Sequence, residues 1–319
     1  MNNIAGKRIL FVAYNFYNYH IEIKNKLEEL GGLVDMHEQV KYTIWYSIML
    51  RMHVHNSYQR LLAHKIINAA KRNQYDYVLV LEIHQESFLF EELKALQPKA
   101  KFILYYWDSI KYADYRPFVK YFDKVFSFDI EDSKSNEGIE YLPLFFTDEY
   151  AEIRQKKTCI RYDLLQVASF SEERYQKIKK FIKTYNIDYK RVYIYYRATF
   201  GVYLLLWLKG YDMRFIGFRK KTQSEMAILY SRSKCILDFS KQQQSGLSMR
   251  TIESMGAGKK LITSNAYLIN DPIYNPNNIY IMEENKSSNI RHFLNQEFVY
   301  TDTIEKYSIK NWCLNLFRP

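Results

Sequence analysis

The residues with the greatest chemical potential lie together in one stretch, from Cys235 to Thr263. Its pattern predicts a strand over Cys235–Phe239, then a polar loop that holds Ser245, Gly246 and Leu247. A short helix follows from about Ser248 to Ala257, with a stop at Gly258 and a second strand from Leu261. A helix that starts from a loop between two strands offers an anion both unpaired backbone N–H groups and the positive end of the helix dipole. Ser245, Gly246 and Leu247 would supply such N–H groups, and Gly246 has no side chain to keep a phosphate away. Arg250, close to the helix start, opposes the dipole preference, and a bound diphosphate would account for it. Glu253 lies one turn further on, where a carboxylate can accept hydrogen bonds from both hydroxyls of a ribose. Its replacement by alanine is expected to weaken nucleotide binding with little loss of stability. Lys259 and Lys260 follow the helix and would complement its C-terminus. The stretch is neither a P-loop nor a dinucleotide fingerprint. Lys260 stands where a P-loop needs Ser or Thr, Glu253 where it needs its first glycine, and Leu261 where the fingerprint needs its third.

The elements that must hold these residues alternate in type. Apolar runs predict strands at Arg8–Tyr14, Leu33–Val40, Tyr77–Leu81, Lys101–Tyr106, Lys124–Phe128 and Gly138–Leu142. Helical periodicity predicts His20–Leu30, residues 56–72 and Phe88–Leu96 between them. A charged connection over Thr147–Thr158 separates this series from a second one. There, strands at Leu164–Ala168, Arg191–Tyr196, Met213–Phe218, Cys235–Phe239, Leu261–Thr263 and Ile279–Met282 alternate with helices at Glu172–Tyr185, Phe200–Lys209 and Ser224–Ser231. Strand–helix alternation of this kind predicts an α/β chain with two doubly wound, parallel-sheet domains. The expected domains are 1–150 and 151–302, followed by a tail helix within 303–319.

Composition sets the outer bounds. A chain of 319 residues with 48% hydrophobic content can bury two ordinary cores. The net charge of +11 favours anionic partners. Cations are spread through both halves with no nucleic-acid motif, so nucleic acid is not expected as a partner. Cys159, Cys235 and Cys313 are too scattered for a zinc site or a disulfide framework, which fits a reducing cytoplasm. No apolar run is long enough to span a bilayer, and the first run ends at Asn15 without a cleavage pattern, so no leader is expected. Residues 41–55 mix aromatic, apolar and cationic side chains. They read either as a helix lying in a membrane interface or as a buried helix of the first domain.

Gly246-Leu247-Ser248 and Glu253-Ser254-Met255-Gly256-Ala257-Gly258 resemble the donor-site segment of GT-B glycosyltransferases. Tyr105–Ile110, Phe126–Asp132 and Tyr141–Phe145 are similar to stretches of the lipopolysaccharide-core and capsule enzymes of that class. The resemblance covers roughly residues 75–319. It implies two Rossmann-like domains, with the acceptor on the first and the nucleotide-sugar donor on the second, and a last helix that crosses back to the first. It implies sugar transfer to a growing bacterial surface glycan, with a glycan or lipid-linked glycan as acceptor, at the inner face of the cytoplasmic membrane.

By the same resemblance Arg219 and Lys221, after the Met213–Phe218 strand, would neutralise the leaving diphosphate. His20, Glu82 and Asp108 compete as the base that deprotonates the acceptor. Asp129 and Asp132 would line the cleft or cap a helix. The Ser169–Ser171 turn matches a donor-facing turn, without the glycine often found there. Ser245 stands where many retaining relatives carry a second glutamate, which favours inversion. The metal-binding Asp-x-Asp of GT-A enzymes is absent, and His53-Val54-His55 has no third ligand close by, so neither metal nor cofactor is expected. The alternatives are a GT-B-like epimerase or hydrolase, a non-catalytic glycan- or nucleotide-binding module, and a nucleic-acid-binding protein.

Overall fold

The structure is a computed structural model that describes residues 3–40, 49, 51, 55–239, 246–282 and 290–319. The chain divides into two compact units. The first comprises Met1–Leu144, Gln244–Leu247 and Ile309–Pro319, and the second Phe145–Gln243 and Ser248–Ser308.

In the first unit β1 (Arg8–Ala13), β2 (Leu33–Glu38), β3 (Tyr77–Leu81), β4 (Lys101–Tyr106), β5 (Lys124–Ser127) and β6 (Ile139–Tyr141) form one sheet in the order β2-β1-β3-β4-β5-β6. Every pairing is parallel. The central strands are covered on both faces, which is why they read as unbroken apolar runs. Helices α1 (Tyr19–Glu29), α2 (His55–Arg72), α3 (Ser87–Leu96) and α4 (Ile130–Ser135) lie between the strands. On one face Ile66, Leu89 and Phe90 join Val78, Val80 and Phe102 in a single core. Each such side chain contributes about 1.5–3 kcal/mol by leaving water.

The second unit has β7 (Tyr162–Ser169), β8 (Val192–Arg197), β9 (Ile216–Gly217), β10 (Ser233–Asp238), β11 (Lys260–Thr263) and β12 (Ile279–Ile281), in the order β12-β11-β10-β7-β8-β9 and again all parallel. Its helices are α5 (Asp148–Gln155), α6 (Glu172–Thr184), α7 (Phe200–Leu208), α8 (Gln223–Ser231), α9 (Met249–Gly256), α10 (Ile290–Asn295) and α11 (Asp302–Glu305). A last helix, α12 (Ile309–Leu316), groups with the first unit. Trp312 on it is 1% exposed and meets the Tyr105 ring edge-on at 4.7 Å, and Phe317 just beyond it meets Tyr77 at 4.9 Å.

Several elements differ from the expectation. The charged connection after Thr147 is the helix α5, which buries only Tyr150 and Ile153. Two apolar positions in eight residues leave little periodic signal. The Met213–Phe218 strand shrinks to the two residues of β9 behind a 3₁₀ turn that Asp212 caps. The tail is two helices rather than one. Phe146 donates its N–H to Tyr307 O at 2.9 Å and pairs with Ser308 as a short parallel bridge, so the chain is extended where the helix would have continued. The division falls after Leu144, which puts α5 in the second unit. Of residues 41–55, all but 49, 51 and 55 lie outside the described residues, and with them His53.

Two glycines close α9 for different reasons. Gly258 has φ +65°, the left-handed conformation that ends a helix. Gly256 is buried against Phe146, and a Cβ there would come within 2.6 Å of Phe146 Cδ2. Gly256→Ala should therefore destabilise the protein by about 1–3 kcal/mol, as overpacking does. A urea titration that finds equal stability in the variant would show that Phe146 yields freely.

Candidate functional site

The strand order of the second unit creates its site. From β7 the chain winds through β8 to β9 on one side, then returns to β10 beside β7 and winds through β11 to β12 on the other. The connections after β7 and β10 therefore diverge, and parallel sheets bind ligands at such a reversal, beyond the C-terminal strand ends. Arg174, in the first turn of α6, occupies this point. Its Nη1 donates to Ser169 O, at the end of β7, over 2.6 Å, and its Nε to Phe239 O, just past β10, over 3.5 Å. Asp238, the last residue of β10, is 1% exposed. It accepts a hydrogen bond from Ser248 Oγ at 2.5 Å and is ion-paired with Arg250. Ser248 also caps α9, accepting the Thr251 N–H at 3.2 Å.

Two guanidinium groups thus meet at this reversal, Arg250 on the Asp238 carboxylate and Arg174 on backbone carbonyls past the two strands. Burial lowers the Arg174 pKa, and the charge of nearby Arg250 lowers it further. Glu253, one turn along α9, is 4% exposed, and its Oε2 accepts from the Tyr230 hydroxyl at 3.4 Å. Burial, then the Glu253 charge, raises the Tyr230 pKa well above its ordinary value.

Of the donor-binding residues read from the sequence, Arg250 and Glu253 come together with Asp238. Arg219 and Lys221 lie elsewhere, after the edge strand β9, with β8 between it and β7. Arg219 pairs with Glu225 in the capping region of α8, and Lys221 sits 4.7 Å above the Tyr195 ring. Around Gly246, the space that a side chain would need is taken by Phe128, whose Cδ2 would stand 2.7 Å from a Cβ. Leu247 is buried, and Ser245 lies outside the described residues. Lys259 reaches Ser231 O at the end of α8, at 3.0 Å, rather than the end of α9, and Lys260 donates to Phe293 O. Arg174 escaped the sequence reading, although it offered the same signal as Arg250, a cation in the first turn of a helix after a strand.

In the first unit the order reverses between β1 and β3. The three base candidates stand near these strand ends with different exposure. His20 is 1% exposed, its Nε2 3.3 Å from Glu38 Oε1, and burial lowers its pKa. Glu82 follows β3 with φ +62° and is 2% exposed. Its Oε1 accepts the Trp107 N–H at 2.7 Å, so its carboxyl holds the turn that carries Asp108. Asp108 itself is exposed. Asp129 caps α4 by accepting the Glu131 N–H, and Asp132 accepts the Ile110 N–H at 2.9 Å. Aromatic side chains gather at the same strand ends. The Tyr14 ring lies tilted against His84 at 4.1 Å, and Phe16, 37% exposed, lies 5.5 Å from Trp107. Such rings can stack on the apolar face of a sugar.

Comparison with solved structures places this architecture. An alpha-glucosyltransferase in complex with UDP and a mismatched DNA superposes with a TM-score of 0.61 at 13% identity, covering 98% of this chain and 95% of that one. Anabaena Alr3699/HepE in complex with UDP and glucose gives 0.56 at 11% identity, covering 97% and 98%. The lipopolysaccharide outer core galactosyltransferase WaaB gives 0.53 at 11% identity, with the same coverage. No family model and no curated protein sequence matches the chain. The chain has the two-domain α/β fold of the GT-B glycosyltransferases. Among the described residues no helix is long and apolar enough to cross a membrane.

Burial raises the Glu82 pKa from its ordinary 4.5 to about 8. The folded protein therefore keeps a proton there that the unfolded chain releases near 4.5. The stability linked to this proton is complete below about pH 4.5 and is lost as pH rises towards 8. Glu82→Gln should remove that slope. Thermal melts of the two proteins across this range should converge at acid pH and separate at neutral pH, with the variant the more stable. Parallel curves would contradict the burial of a neutral acid.

Proposed function

We propose that the chain is a glycosyltransferase that takes a sugar from a nucleotide-sugar donor and adds it to a bacterial surface glycan of the lipopolysaccharide-core or capsule kind. The observation that carries this reading is the pair Arg174 and Arg250 where the second sheet reverses its winding, Arg250 held by the buried Asp238 and Arg174 by two backbone carbonyls. That arrangement suits a diphosphate better than a neutral ligand. Both cations are fixed before any ligand arrives, so they need little reorganisation when charge builds up on a leaving diphosphate. Glu253 takes the ribose hydroxyls in this reading, displacing the long bond from Tyr230. Two of the solved structures compared above hold UDP, which makes UDP the first nucleotide to test.

For acceptor activation we assign Asp108, the one exposed carboxylate of the three base candidates. Glu82 is then a positioning residue that fixes the Trp107–Asp108 turn. The aromatic group around Phe16 and Trp107 takes the acceptor sugar. We read the reaction as inverting and independent of a metal ion, with arginines in the charge-stabilising role.

Calorimetric titration with UDP tests the donor half. Wild-type protein should bind, and Arg174→Gln should bind about 10–100-fold more weakly, the worth of a hydrogen bond to a charged group. Glu253 is buried against Tyr230, so Glu253→Ala should also cost about 1–3 kcal/mol of stability by removing one partner of that buried hydroxyl. Glu253→Gln is therefore the cleaner probe, and it too should weaken binding. Failure of folded wild-type protein to bind UDP, GDP, dTDP, CMP or ADP would overturn the reading. Asp108→Asn should leave UDP affinity unchanged while lowering the transfer rate by about 100-fold or more. An unaltered rate would remove Asp108 from the base role.

A further inference from the structure

Helix α7 breaks the rule that the other helices of the second unit follow. It has the sequence Phe-Gly-Val-Tyr-Leu-Leu-Leu-Trp-Leu, without a charged residue, yet only Leu206 is buried. Phe200 is 63% exposed, Trp207 60% and Leu208 72%, with Leu204 and Leu205 also open to solvent. Phe218, 56% exposed, extends the patch by packing edge-on to Phe200 at 5.9 Å. A helix between two strands of a parallel sheet ordinarily turns charged residues outward, and one that is apolar all round is ordinarily covered. A contiguous exposed surface of this kind marks a docking site.

The charge around the patch selects the occupant. Residues 197–221 carry Arg197, Lys209, Arg214, Arg219, Lys220 and Lys221 against Asp212 alone. Asp212 is paired with Arg214, and Arg219 with Glu225. Arg197, Lys209 and Lys220 are exposed, which leaves a cationic margin beside the apolar side chains. A second copy of the chain docked about a two-fold axis through α7 would bring these cations against their own counterparts. An anionic bilayer surface accepts both features at once, with the apolar side chains below the headgroups and the cations on their phosphates. Trp is also favoured at that depth. Nine residues give a helix about 13 Å long, against a hydrocarbon core of about 30 Å, so α7 would lie in the surface rather than cross it.

We propose that α7 and Phe218, with the cations beside them, form a docking surface for anionic phospholipid bilayers. This site is distinct from residues 41–55, and it does not rest on the assignment of the nucleotide site. Flotation of the full chain with vesicles tests it. The protein should bind vesicles of equal phosphatidylcholine and phosphatidylglycerol at least tenfold better than phosphatidylcholine alone, and less well as salt is raised. The double variant Trp207→Glu, Leu208→Glu should lose at least tenfold in binding while its melting temperature and UDP titration stay as in wild type. Lys209→Glu with Lys220→Glu should abolish the preference for the anionic vesicles. Wild-type levels of binding by the α7 variant would overturn the proposal. It would also fall if sedimentation velocity without vesicles showed a wild-type dimer that the α7 variant dissociates, since a second copy would then be the occupant.

Discussion

The second unit depends on one buried carboxylate. Asp238 ends β10 with almost no contact with water, a position that is costly for a charge without partners. Its two partners come from the loop and helix that follow, Ser248 as the cap of α9 and Arg250 from the first turn. The pairing therefore fixes where α9 starts, and with it the heights of Glu253 and Gly256. It also keeps the Arg250 guanidinium at the strand end, close enough for its charge to be felt by Arg174. A pair buried on one side only, with an arginine left over, is poorly suited to pure stability, because replacing such a pair with apolar residues is often neutral or favourable. It is well suited to holding a positive site in place.

The first unit uses a buried acid differently. Glu82 is kept neutral by burial and bonded to the backbone of a turn, and its left-handed φ puts it among the sparsely populated conformations that surrounding structure must enforce. Tyr17 and Asn18, after β1, have positive φ as well. Unfavourable backbone geometry thus gathers at the ends of β1 and β3, where the winding reverses and the aromatic side chains collect. One unit spends its irregular backbone on shaping a surface of rings, the other concentrates charge.

The strands were legible because parallel strands buried on both faces are continuous apolar runs, and β3 and β4 begin and end where those runs do. The Glu253 helix was legible because Gly258 and the serine cap are local signals. What the sequence does not show shares a cause in contacts distant along the chain. The burial of Glu253 depends on Tyr230, which is brought over it from α8. The lack of a side chain at Gly246 is required by Phe128, which takes the space a Cβ would need. The break between α11 and α12 cannot be foreseen without Phe146, which lies about 160 residues earlier and captures Tyr307 and Ser308 in an extended pairing. The resemblance assigns Arg219 and Lys221 to the diphosphate, and strand order, which no local pattern encodes, puts the strand before them at the edge of the sheet.

The placement of Trp312 and Phe317 in the first unit has a consequence for how the chain is made. Tyr105 and Tyr77, which they cover, are synthesised early, yet their partners leave the ribosome only after the whole second unit has been translated. At about 5–20 residues per second the gap is on the order of ten seconds or more. Until then Tyr105 and Tyr77 lack these two rings. The second unit has its own late contact, since Phe146 waits for Tyr307 and Ser308, but these are made before Trp312. The first unit therefore receives its last covering side chains after the second unit has been translated.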